Sequence, residues 1–391
     1  MTTADPKPVR FFHAPRPDPA SDADAIVGGR VELQLLTTLR CNLKCTYCSE
    51  SVGDVVGSDG HVGYSLDQFD AFIRTHLAGR EIYVTFYGGE PTLNKAYMAE
   101  VMDRYPTFRF QLQTNGTLLR KLPPRVLARL SNVLVSIDGG EGVTDSYRGR
   151  GIYRQVMRNV EAVRGKVGGT LTARVTLSSE ETTVEEIDAL LEVFDYVYFQ
   201  FVAGDAYGPQ AMARKRELVS GLVDRFFDAE SLYRMIPLMG IVRNKVLPTR
   251  AAELCAGQTQ CRVSTHIINV LPDGRIFPCP DMLYLPEMQQ GDVIGNWLKR
   301  SPLQPHPAMP CEGCEAFAWC RRNCMKNLHL AYARGDEAYR RNVTDPICEL
   351  LRHLGREIDR RDPAAWYQRA SLAVRKEVRD CEVYEYVEVM P

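Results

Sequence analysis

Three cysteines fall within eight residues, in CNLKCTYC at 41–48, directly after the strand-like run VELQLLTT. Spaced C-x3-C-x2-C, Cys41, Cys45 and Cys48 can wrap one loop around an iron–sulfur cluster. A 4Fe–4S cubane has one more iron than this loop has thiolates. The uncovered iron can take a substrate or cofactor, whereas a fully ligated cluster only moves electrons. A zinc site lacking one ligand satisfies the bare spacing too. Eight further cysteines lie between 250 and 350: Cys255, Cys261, Cys279, Cys311, Cys314, Cys320, Cys324 and Cys348. The run from 311 to 324 reads C-x2-C-x5-C-x3-C. No apolar period accompanies these spacings, so they are not core positions of a helix or strand. Eight thiolates suffice for two fully ligated 4Fe–4S clusters, and equally for two zinc sites. Cys381 matches no pattern and reads as a free surface thiol.

The 391 residues, 45% of them apolar, are enough for one large domain plus a smaller one. Charged residues make up 25% and the net charge is −1, without the basic excess of a nucleic-acid binder. No apolar run is long enough to span a bilayer. Residues 1–29, as in PRPDPASDAD, contain no secretory apolar stretch and read as a flexible tail. The expected location is cytoplasmic, where thiols stay reduced and clustered cysteines hold metal rather than disulfides.

The elements that position these cysteines follow from the pattern. Strands are predicted at 31–38, 81–87, 108–114, 132–138, 172–178 and 196–202. Helices are predicted near 65–78, 94–104, 123–130, 152–164, 183–194 and 211–228. Six alternating βα units imply an α/β fold with a parallel sheet and outer helices. Six are too few for a closed eight-stranded barrel, so the reading is a partial (β/α)6 TIM-like barrel. Its site belongs at the C-terminal strand edge. The expected domains are a tail at 1–29, the partial barrel at 30–240, a cysteine-rich segment at 241–350, and a C-terminal helix and tail at 351–391.

CNLKCTYC at the end of the first strand resembles the signature of the radical S-adenosylmethionine (SAM) superfamily. The resemblance implies that the open iron chelates SAM, whose reductive cleavage yields a 5′-deoxyadenosyl radical. Matching features follow in order over roughly 30–240. YGGEP at 87–91 resembles the stretch that holds SAM's amino group, through Gly88, Gly89 and Glu90. QTNGTLL resembles the third-strand motif, with Asn115 near the ribose. VSIDG resembles the fourth-strand end, with Ser136 near SAM's carboxylate and Arg174 a second candidate there. Tyr47 resembles the aromatic that lies by the adenine.

The later cysteines resemble a SPASM domain, a C-terminal extension of one radical SAM subfamily. By likeness to anaerobic sulfatase-maturating enzymes, Cys255, Cys261, Cys279 and Cys324 would hold the nearer auxiliary cluster. Cys311, Cys314, Cys320 and Cys348 would hold the outer one. NVLPDGRIFPCPD fits the hairpin typical between the first two of the pattern cysteines, Cys261 and Cys279. Three 4Fe–4S clusters and SAM are thus the expected cofactors. A substrate radical must lose a second electron to end as a two-electron oxidation product, and auxiliary clusters give that electron a route. The accompanying proton needs a base. Asp281, two residues after Cys279, is the candidate, although in the sulfatase enzymes the Asp follows the cysteine directly.

SPASM proteins mostly modify peptides, so the expected substrate is a peptide or protein side chain, with crosslinking the leading reading. A sulfatase-type formylglycine maturase, a small-molecule dehydrogenase and a non-catalytic electron carrier are the alternatives. A flavodoxin or ferredoxin would supply electrons. About thirty residues precede the first strand, too few for a winged-helix leader-binding module. Leader binding would fall to the barrel's open side, to the tails, or to a separate leader-binding protein. The tail EVYEYVEV alternates as an edge strand would. No nucleic acid or membrane partner is expected.

Overall fold

A computed structural model describes residues 30–48, 61–177, 181–201, 207–229, 231–247, 263, 266–299, 305–322 and 324–380. Cys255, Cys261, Cys381 and the EVYEYVEV tail lie outside the described residues. The chain divides into two compact units.

The first unit comprises 1–44, 48–110 and 263–302. Its strands are β1 (Arg30–Thr38), β2 (Glu81–Gly88), the start of β3 (Arg109–Thr114), β7 (Ile267–Val270), β8 (Arg275–Phe277), β9 (Gly291–Asp292) and β10 (Trp297–Leu298). β1 runs parallel to β2 on one side and to β7 on the other, with Leu33 opposite Val84 and Ile268. Lying between two strands, β1 is buried on both faces, with Glu32, Thr37 and Thr38 buried beside Val31, Leu33, Leu35 and Leu36. β7 and β8 form an antiparallel hairpin. Its turn closes through Gly274 N–H donating to Leu271 O, 3.0 Å. Gly274 takes φ +90°, a left-handed conformation that costs glycine nothing. Leu36 and Leu39, at the end of β1, share one apolar core with Leu271, Phe277 and Leu283. The start of the three-cysteine loop and the hairpin that leads to Cys279 therefore rest on the same core. Helices α1 (Leu66–His76) and α2 (Lys95–Arg104) complete the unit. Ser65 and Gln68 close a reciprocal capping box at the start of α1.

The second unit comprises 45–47, 111–262 and 303–391. It holds the rest of β3, then β4 (Leu130–Ser136), β5 (Thr170–Leu177) and β6 (Tyr196–Phe201), with β4, β5 and β6 parallel and adjacent in that order. Between them run α3 (Pro124–Leu127), α4 (Glu141–Arg148), α5 (Ile152–Val163) and α6 (Val184–Val193). After β6 come α7 (Pro209–Asp228) and α8 (Ile236–Val246), then α9 (Phe317–Cys320), α10 (Met325–Leu328), α11 (Asp345–Arg360), α12 (Pro363–Arg369) and α13 (Leu372–Arg379). The six predicted strands and their helices are present, α3 shorter than expected because it ends at Leu127, with β4 already beginning at Leu130. The expected hairpin at NVLPDGRIFPCPD is the β7–β8 pair, whereas α4, α8, β9, β10 and the pairing of β7 with β1 were not anticipated. α8 is buried almost throughout, so no amphipathic stripe marks it in the sequence. Among the described residues no helix is long and apolar enough to cross a membrane.

α11 lays Ile347, Leu350, Leu351, Leu354 and Ile358 into the core of its unit. It is tied to α7 by the Arg216–Glu349 ion pair and by His353 beside Ser220 Oγ. Gly355 on this helix faces Trp319 of α9. A Cβ there would stand 2.7 Å from Trp319 Cζ2. Gly355→Val is expected to push Trp319 aside at a cost of about 1–3 kcal/mol, read as a lower urea midpoint of the iron-free protein. An unchanged midpoint would show that the indole moves freely.

Candidate active site and cluster-binding thiols

In the first unit the end of β1 leads into Cys41, which is exposed. The loop after β2 is laid directly on this segment. Gly89 N–H donates to Thr38 O at 2.9 Å and Glu90 N–H to Arg40 O at 2.8 Å. Side chains could not fit between these backbones. A Cβ on Gly88 would lie 2.1 Å from Thr38 O, and one on Gly89 2.3 Å from Arg40 O. Gly88 also takes φ +132°. The YGGEP loop is thus fixed to backbone three residues and one residue before Cys41. Glu90 is fully buried, and its Oε1 accepts hydrogen bonds from Thr92 N–H (3.0 Å) and Thr92 Oγ1 (2.5 Å). Cys48 is exposed. Cys279, half-buried, caps the short helix Pro280–Met282 that carries Asp281 on its exposed side.

In the second unit, Cys45 is buried and Tyr47 half-buried. The Tyr47 hydroxyl donates to Asp138 Oδ2 at 2.8 Å. Burial, first, and the neighbouring Asp138 push its phenol well above the usual range, and Arg148 only partly opposes this. Asn115 is buried after β3, its Oδ1 accepting from Thr117 N–H (3.0 Å) and Thr117 Oγ1 (2.7 Å). Ser136 ends β4 and is the direct register partner of Arg174 on β5. Arg174 donates to Gln200 Oε1 at 2.6 Å, and its guanidinium lies 5.7 Å from the Tyr198 ring centre. The two candidates for SAM's carboxylate therefore sit at one level of the sheet.

Four other thiols of this unit converge. Cys311, Cys314, Cys320 and Cys348 line one recess with Ala316, Phe317, Arg322, Leu328 and Leu351. The recess encloses about 340 Å³ of empty space, counting the part open to solvent. Cys311 lies in the short helix Pro310–Gly313 and Cys314 caps its end. Cys320 ends α9, and Cys348 lies in the first turn of α11. Arg321 and Arg322 then take left-handed φ of 46° and 63°, which turns the chain sharply before Cys324. Cys324 caps α10 and does not line the recess. Among the described residues no three His, Cys, Asp or Glu side chains stand close enough to hold a single metal ion. Zinc would draw its sulfurs to ~2.3 Å. Four thiols spread around a larger hollow suit a cluster whose irons each take one sulfur.

Sequence reasoning missed Asp138, Tyr147, Arg148 and Arg322. Asp138 stands inside VSIDG and Arg148 ten residues later, but nothing in spacing marks one arginine among 48 Lys and Arg residues. Asp138 accepts from Arg148 Nε at 2.7 Å and Nη2 at 2.9 Å, a fork both of whose partners are buried. Burial alone would lower the arginine's pKa, but Asp138 and Tyr47 outweigh it and hold the guanidinium firmly charged.

Residues 35–194 match the family model described as the Radical SAM superfamily. Over 167 residues the chain is 28% identical to the Fe-coproporphyrin III synthase of Methanosarcina barkeri, covering 40% of this chain but only 39% of that protein. Among solved structures, native anSMEcpe with bound AdoMet superposes with a TM-score of 0.62 at 19% identity, covering 84% of this chain and 97% of that one. SuiB of Streptococcus suis bound to its precursor peptide SuiA gives 0.53 at 15% identity, covering 76% and 72%. At these identities the structural likeness establishes the fold.

In the iron-free protein, burial and then the facing Cys311 push the Cys348 thiol up to about 12. It keeps its proton at neutral pH, and iron must displace that proton on binding. Iron and sulfide uptake at the Cys311–Cys348 recess is accordingly expected to rise between about pH 7 and pH 9. Uptake that is flat with pH, measured on a protein lacking Cys41, Cys45 and Cys48, would contradict this.

Proposed function

Residues 35–194 being a radical SAM domain, we propose that the chain is an enzyme that oxidatively modifies a side chain of a peptide or protein, forming a crosslink. The observation that carries this reading is the three-cysteine loop with YGGEP hydrogen-bonded to the backbone leading into it. Cys41, Cys45 and Cys48 hold a 4Fe–4S cluster whose remaining iron is reserved for SAM. When bound, the cluster and SAM supply the one-electron chemistry that takes a hydrogen atom from the substrate.

The chain's own residues bind and orient. Gly88 and Gly89 let backbone amides approach SAM, and the Glu90 carboxylate faces its ammonium. Ser136 and Arg174 take its carboxylate, Asn115 its ribose, and Tyr47 its adenine. The thiol ring of Cys311, Cys314, Cys320 and Cys348 holds an outer auxiliary cluster. Cys255, Cys261, Cys279 and Cys324 hold a nearer one, giving three clusters in all. Clusters held there would give the second electron a way out, and the exposed Asp281 would accept the proton. A flavodoxin or ferredoxin supplies reducing equivalents. A peptide substrate is supported by the fold shared with SuiB, a protein solved with its precursor peptide. The fold shared with anSMEcpe keeps a formylglycine-forming reaction as the second reading.

Reconstituted without oxygen and reduced, the protein is expected to convert SAM to 5′-deoxyadenosine and methionine. Replacing Cys41, Cys45 and Cys48 by Ala should abolish this, and replacing Cys311 and Cys348 should spare cleavage while stopping product formation. With a peptide encoded beside the enzyme, loss of two hydrogen atoms by mass spectrometry marks a crosslink. SAM cleavage that persists in the triple variant would refute the assignment of the loop.

A further inference from the structure

The segment Cys45–Tyr47 has no regular secondary structure, yet four contacts hold it to two short stretches of its own unit. Thr46 N–H donates to Tyr147 O at 3.0 Å. The Tyr47 hydroxyl donates to Asp138, and the Tyr47 ring lies 5.5 Å from that of Tyr147. The Arg148 guanidinium stands 5.6 Å from the Tyr47 ring centre. Tyr147 and Arg148 are the last two residues of α4, where a cation also meets the negative end of the helix. Asp138 is fully buried just beyond β4. Its Oδ1 further accepts from Thr176 N–H of β5 at 3.3 Å.

Resting on the function proposed above, we propose that Asp138 and Arg148 are the positioning pair for SAM binding: they fix Tyr47, and through it the Cys45 end of the cluster loop. A buried ion pair is seldom more stabilising than apolar side chains of the same shape. Its use here is geometric. The fork fixes the plane of the Asp138 carboxylate, which leaves a defined lone pair on Oδ2 for the Tyr47 hydroxyl. That bond, with the ring packed between Tyr147 and Arg148, sets the face Tyr47 offers to adenine. Thr46, joined to the helix end by its backbone, sets the position of Cys45 one residue away. Arg148 keeps positive charge near the Cys45 sulfur, which suits a thiolate. Neither Asp138 nor Arg148 touches a reacting atom in this assignment.

Removing one partner outright would bury an unpaired charge and risk unfolding, so the test uses Arg148→Lys and Tyr47→Phe in the full-length protein. Lysine keeps the charge and loses the fork. Phenylalanine keeps the ring and loses only the hydroxyl bond to Asp138. Each is reconstituted anaerobically and compared with the parent by iron content, thermal melting, SAM dissociation constant, and the electron paramagnetic resonance spectrum of the reduced protein with and without SAM. Both variants are expected to fold, to melt within a few degrees of the parent, and to retain the iron of the auxiliary clusters. Both should bind SAM about tenfold or more weakly, with a diminished SAM-induced spectral change. Two variants that match the parent in SAM affinity and spectrum would overturn the proposal. So would variants that lose auxiliary iron and melting temperature together with the SAM response, since the pair would then be a general support of the fold. A parent protein whose spectrum ignores SAM would instead refute the function on which the pair's role rests.

Discussion

A carboxyl group held wholly away from water is the constraint on which the second unit's site is organised. Asp138 has no exposure to solvent, so every lone pair it presents must find a donor within the protein. It finds them in Arg148, Tyr47 and the Thr176 amide, which belong to a helix end, a loop and a neighbouring strand. Such a group cannot shift by an ångström without leaving one of them unsatisfied. The elements it joins are therefore held in one relative arrangement, and the irregular loop among them inherits that definition.

The first unit reaches the same end by exclusion instead of charge. There the YGGEP loop is located because two glycines allow backbone to touch backbone, with no side chain that could adapt to a looser fit. The thiol recess uses a third means. Its sulfurs come from two short helical turns and the first turn of α11, with Phe317, Leu328 and Leu351 as apolar walls. Thiols held this way neither pair as disulfides nor close on a single ion.

The sequence was informative where one interaction dominates over a short span. Parallel strands announce themselves because burial on both faces demands continuous apolar residues, so β1 through β6 could be read off within about two residues. Cysteine spacing alone grouped Cys311, Cys314, Cys320 and Cys324; it was the resemblance to sulfatase-maturating enzymes that put Cys348 in place of Cys324, and Cys311, Cys314, Cys320 and Cys348 are the four that line the recess. What escaped was non-local. β7 pairs with β1 across more than two hundred residues, and its four-residue apolar run is too short to identify alone. α4, EGVTDSYR, is only eight residues long and polar, and it gains its importance from Arg148, whose partner lies ten residues back. An ion pair of that kind leaves no periodic trace.

The late pairing of β7 bears on the order of events during synthesis. One edge of β1 can be covered by β2 as soon as about ninety residues exist, but the other waits for Ile267–Val270 to leave the ribosome. At ~5–20 residues per second, the nascent chain carries an unsatisfied strand edge for many seconds, next to the loop that bears Cys41. Such an edge invites pairing with other chains until its own partner arrives. Co-translational chaperoning, or slow translation matched to rapid closure, would govern the yield of folded protein more than the stability of the finished sheet.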